Sequence, residues 1–90
     1  MKNKYLPIGT VVLLSGGSKK VMINGYFCAP LDDKNNVFDY RGCPFPEGII
    51  DSRGVALFNA SDIKEVVHLG YKNVEAIDFL DKMEILKGKI

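Results

Sequence analysis

Tryptophan is absent from this 90-residue chain, histidine occurs once and cysteine twice, and acidic and basic side chains nearly cancel. Each scarcity excludes a class of chemistry. With His68 as the single histidine, a metal site or a Ser/His/Asp triad would need partners that no motif announces. Cys28 and Cys43 stand fifteen positions apart, neither a redox nor a zinc spacing. Two reduced structural thiols are expected, with a meeting across neighbouring strands as the alternative. Twelve basic against eleven acidic side chains leave a formal charge of +1, without the basic excess of a nucleic-acid groove or an anionic-membrane binder. No apolar run reaches the roughly 18 to 20 residues that span a bilayer, and the start of the chain shows no cationic segment followed by a cleavable apolar stretch. A soluble, cytoplasmic protein is expected. Ser15-Gly16-Gly17-Ser18-Lys19-Lys20 lacks the phosphate-loop spacing and leads into a strand rather than a helix. No catalytic residue, metal or cofactor is assigned, and the chain is read as a non-enzyme.

The remaining composition, 47% apolar and 26% charged, is that of one small globular domain over residues 1–90. Thr10 to Leu14 is a β-branched and aliphatic run bounded by glycines, and Gly16-Gly17 forms a hairpin turn to a second strand at Lys20 to Ala29. There Val21 and Ile23 share one face, Met22 and Asn24 the other, and Gly25 is a candidate bulge, with an Asn24-Gly25 turn as the alternative. A polar loop with Asp32 and Asp33 precedes a third strand, Val37 to Arg41. Two prolines then end the pairing between Gly42 and Gly48. Val55 to Phe58 reads as a fourth strand, Asn59 to Ile63 as one helical turn, and Glu65 to Leu69 as the last strand. Asn73 caps a helix to Lys87, with Ala76, Phe79, Leu80, Met83 and Leu86 on one stripe and Gly88 as its stop. The expected fold class is α+β: a small antiparallel sheet or SH3-like partial barrel of about five strands, β-rich over 5–71, with one helix over 73–87.

The candidate site is a partner-binding surface of Phe38, Tyr40, Arg41, Phe45 and Pro46. Its aromatic side chains stand near Asp32, Asp33, Asp39 and Glu47 with Arg41 the one local cation, which repels phosphate and suits a protein partner. An exposed sheet edge that adds a partner strand is a second route. The rival readings are an SH3-like nucleic-acid binder, which requires Lys19, Lys20, Arg41 and Lys64 to cluster in space, and a small enzyme using His68.

Three segments together, Tyr5 to Leu14, Asp39 to Gly48 and Phe58 to Tyr71 before a terminal helix, resemble domain of unknown function family number forty-one seventy-six, small cytoplasmic proteins of Gram-positive bacteria. The likeness covers residues 5 to about 80. Members of that family occur among the genes of LXG-type toxins exported by the type VII secretion system. The resemblance therefore implies an accessory role, as a chaperone or targeting partner of such a toxin, and brings no catalytic residues with it.

Overall fold

Alternation of apolar residues along short β-branched runs builds a sheet with two distinct faces, and the structure, a computed structural model describing residues 5–87, shows which face is covered. Strands β1 (Val11–Leu14), β2 (Lys20–Cys28), β3 (Phe38–Pro44), β4 (Ala56–Phe58) and β5 (Ile63–His68) precede one helix, α1 (Val74–Lys87). Short 3-10 turns occupy Ser52–Gly54 and Ala60–Asp62. All pairings are antiparallel, in the order β4-β3-β2-β1-β5. The fold is α+β, an open five-stranded sheet with a C-terminal helix.

The edge strands β4 and β5 are consecutive in sequence, so the connection between them forces the sheet to curl. In a flat sheet they would lie four spacings, about 19 Å, apart. The step from Phe58 to Ile63 spans at most about 18 Å even fully extended, and part of it is spent in the Ala60–Asp62 turn. The concave inner face holds the core: Val12, Val21, Ile23, Tyr40 and Phe58 pack with Tyr5 and with Leu80 and Met83 of α1. Asn73 caps the helix as its composition predicts, its Oδ1 accepting the Ala76 N–H at 2.9 Å. Gly88 lies outside the described residues. No described helix is long and apolar enough to cross a membrane.

Two expectations about packing are corrected. Strand β3 does not stop before Gly42 but continues to Pro44, with Gly42 opposite Ile23, Cys43 opposite Met22 and Pro44 opposite Val21. Phe45 N–H donates to the Lys20 carbonyl, so the alternation of donors aims the Pro44 nitrogen away from β2, to a side where pairing with β4 has already ended at Gly42. The missing donor is therefore not needed. Gly42 is required for close approach: a Cβ there would sit 2.7 Å from Val21 Cγ1 and 2.8 Å from the Met22 carbonyl oxygen. Among the described side chains of the helix, only Leu80 and Met83 are fully inside, while Phe79 and Leu86 are each 53% exposed. The sheet is too narrow and too curled to cover the whole apolar stripe.

Gly25 is a bulge, marked by a register shift between Ile23 and Gly25. The shift returns Tyr26 to the inner face opposite Tyr40. Phe27 then adopts φ +50, unusual for a bulky residue, and both neighbouring rings reach Tyr5 edge-on, at 6.4 Å from Tyr26 and 5.6 Å from Phe27. A regular strand would have sent them to opposite faces. The cysteines do not meet, because Cys28 pairs with Phe38 and Cys43 with Met22, which places them about 17 Å apart along the ladder. That is beyond any disulfide.

Tyrosine hydroxyls hold the segment before β1. Tyr26 OH donates to the Leu6 carbonyl, and Leu6 N–H donates to Tyr40 OH at 3.0 Å. Burial pushes both phenols up from 10.0 to about 12, with the neighbouring Tyr40 adding to the effect on Tyr26. A phenol raised in the folded state contributes fully below its unfolded value, and that contribution is lost as pH rises through the folded value. Stability is therefore expected to fall between about pH 10 and 12, ahead of which these two tyrosines stay un-ionised in the folded chain. Ultraviolet titration of tyrosinate absorbance, run beside urea melts, checks this. All four tyrosines ionising together near pH 10, with the fold intact, would contradict it.

Candidate functional site

Strand alternation divides the sequence-derived surface between two faces. Phe38 and Tyr40 share one face of β3, and Arg41, Cys43 and Phe45 share the other. Tyr40 is fully buried, stacked on Phe58 at 5.5 Å, and belongs to the core rather than to any partner surface. Its place in the candidate site is a correction, caused by the curl that turns this side of β3 inward. Phe38 is half-buried opposite Cys28 near the far end of the ladder. Arg41 is half-buried and donates to Asn24 Oδ1 at 3.1 Å. Phe45 is 42% exposed and Pro46 is exposed beside it.

Asp39 also leaves the surface. It is buried, its carboxylate accepting the Tyr5 hydroxyl at 3.3 Å and the Ala60 N–H at 2.8 Å, while its own N–H donates to Asn59 Oδ1 at 3.0 Å. The short polar cluster around Asn59 thus serves to fasten the 3-10 turn to β3. The acidic character expected next to the aromatic residues is reduced accordingly.

Register assembles a different surface around Phe45. Met22 pairs with Val11 on one side and Cys43 on the other, Val11 pairs with His68, and Phe45 hydrogen-bonds beside Lys20. These residues face outward, away from α1. Together Gly9, Val11, Lys20, Met22, Phe45, Val67 and His68 line a cleft of about 430 Å³. Val11, which lines the cleft, is buried, as is Cys43 opposite Met22. The sequence signal for Met22 was its alternation with Val21 and Ile23. Nothing local announced Val11, Val67 or His68 as its neighbours, since that depends on pairing between distant strands.

Two other depressions are larger, about 560 Å³ beside the Pro44–Gly54 loop and about 520 Å³ along Val74, Glu75, Asp78, Phe79 and Lys82 of α1. A groove of about 120 Å³ runs between Pro7, Ile8, Tyr26, Tyr71, Ala76, Phe79 and Leu80. The depression beside the Pro44–Gly54 loop carries charges that satisfy one another. There Lys19 Nζ lies 2.6 Å from Glu47 Oε1, and Arg53 bonds Asp51. These cations hold the Glu47 and Asp51 carboxyls below their ordinary range. Of the four cations a nucleic-acid reading requires, Lys19 is thus bound to an acid and Arg41 to an amide. His68 is exposed at the rim of the outer cleft.

The family described as Domain of unknown function (DUF4176) matches residues 5–79, from the anchored segment before β1 into α1. No curated protein and no solved structure matches the chain.

Proposed function

The chain belongs to the DUF4176 family, and from that premise we propose that it is a non-enzymatic protein-binding accessory module, acting in the cytoplasm as a chaperone or targeting partner for an LXG-type toxin of the type VII secretion system. The observation that carries the reading is the cleft on the outer face of the sheet, floored by Val11 and Met22 and walled by Phe45. Apolar surface left open in so small a domain marks a place where another protein sits. Aromatic and methionine side chains are the ones enriched in such places. The toxin as the partner follows from the family resemblance.

Phe45→Ala is expected to leave the fold intact, because the ring is 42% exposed, and to weaken toxin capture by at least about 1 to 2 kcal/mol, tenfold or more. Titration against the toxin encoded beside this chain, with a urea melt of the variant as control, measures both. Unchanged affinity would remove Phe45 from the recognition surface. Failure of the unaltered chain to bind the toxin at all would end the accessory-module reading.

A further inference from the structure

The outer cleft has a shape and a charge that restrict what fits it. Phe45 rises beside Lys20 at the β2–β3 side, and Val67 and His68 stand on β5, so the floor between the walls crosses β2 and β1. Three strand spacings separate β3 from β5, about 14 Å. One α-helix with its side chains, about 10 to 12 Å across, fills that width, whereas a single extended strand would leave much of the floor wet.

The charges on the same face follow from the register. Leu13 pairs with Lys20 on one side and Glu65 on the other, and Leu57 of β4 pairs with Arg41. The face therefore presents Lys20 and Arg41 around an apolar centre, against Glu65 as the acid that register places there. Both ion pairs among the described residues use other cations, Lys19 and Arg53. Among the described residues neither Lys20 nor Arg41 forms an ion pair; Arg41 is held by Asn24, and Lys20 lines the cleft itself.

We infer that the outer face of the sheet is the docking site for one amphipathic helix of a protein partner, apolar along the side that meets Val11, Met22 and Phe45 and acidic along its margins. This rests on the accessory-module reading and adds to it the chemistry of the segment recognised. An apolar stripe supplies the burial, and acidic margins facing Lys20 and Arg41 set orientation and discriminate against other helices. A phosphate backbone would answer the cations but leave the apolar floor exposed to water.

Two synthetic helical peptides with the same leucine stripe, one with glutamate margins and one with lysine margins, test it on the intact chain by NMR titration. The glutamate peptide is expected to shift the amides of Val11, Met22, Cys43 and Phe45 and to bind at least about tenfold more tightly than the lysine peptide, with the difference shrinking as salt is raised. Lys20→Glu should narrow or invert that preference, Lys20→Arg should retain it, and Phe79→Ala, in the other groove, should leave it unchanged. The inference is overturned by equal binding of the two peptides, by shifts centred on Tyr71 and Phe79, by new protection confined to the Ile63–His68 edge, or by no binding. Peptide binding without toxin capture by the same chain would sink the accessory reading alone. Toxin capture indifferent to Lys20→Glu, with neither peptide bound, would sink this inference and leave that reading standing.

Discussion

Leu80→Ala is expected to cost about 2 to 5 kcal/mol, the range for a buried leucine replaced by alanine where the surroundings only partly collapse. Leu80 is 1% exposed and, with Met83, is the means by which α1 enters the core formed by Val12, Ile23, Tyr40 and Phe58. Small domains have only about 5 to 15 kcal/mol of total stability, so the loss takes a large share of it. The fourteen residues of α1 are at the length where an isolated helix is marginal, so loosening this contact frees the helix as well. Urea unfolding followed by circular dichroism measures it, with Phe79→Ala as the comparison. Phe79 touches Tyr26 at 6.0 Å between ring centroids but is 53% exposed, and its loss should cost less than half as much. A near-native midpoint for Leu80→Ala would show that α1 is not held by the sheet.

Gly70→Ala is the second large effect expected, about 1 to 3 kcal/mol or more, from overpacking that has nowhere to relax. Gly70 follows β5 and carries the chain across the start of β1, where its N–H donates to Thr10 Oγ1 at 3.0 Å. A Cβ added there would overlap the Ile8 carbonyl oxygen and approach Thr10 N at 2.8 Å and Gly9 C at 2.9 Å. All three are backbone atoms of the segment leading into β1, so relief requires the strand to move rather than a side chain to swing away. Thr10 is fully buried and the adjoining Val11 forms the floor of the outer cleft, so the displacement reaches the docking face. Gly17→Ala is the control: its nearest neighbour is the Leu14 carbonyl oxygen at 3.6 Å, ordinary contact, and its melt should match the parent chain. Equal melts for the two alanine variants would show that the crossing at Gly70 is not tight.

These effects bear on function because one thin sheet serves two surfaces. Its inner face is filled by tyrosines and by α1, and its outer face carries the cleft. Side chains alternate along β2 and β3, so a residue that anchors the core is followed by one that forms the cleft, as Val21 is by Met22. Variants that disturb the core therefore perturb the cleft through the backbone they share. Binding experiments need the urea melt beside them for that reason.

Local chemistry alone was enough to place the strands to within about three residues at their ends, the single helical turn after Phe58, the bulge at Gly25 and the cap at Asn73. Each depends on residues adjacent in the chain: β-branched runs, glycine, and short polar side chains that bond their own backbone. The same information divided Val21 and Ile23 from Met22, since period-two alternation is local. It misjudged Pro44, because whether a missing N–H matters depends on which neighbour that position of the strand faces, and β4 ends before reaching it. It placed Tyr40 and Asp39 at the surface and Phe79 inside for a related reason: periodicity identifies which residues share a face, but not which face the sheet curls around or how much of a helix a narrow sheet can cover. Curl is imposed by the short step from Phe58 to Ile63 between opposite edges, a constraint that exists only once the strand order is set. The outer cleft was decided at the same level, because Val11, Met22, Phe45 and His68 lie far apart in sequence and become neighbours only through the pairing of three ladders.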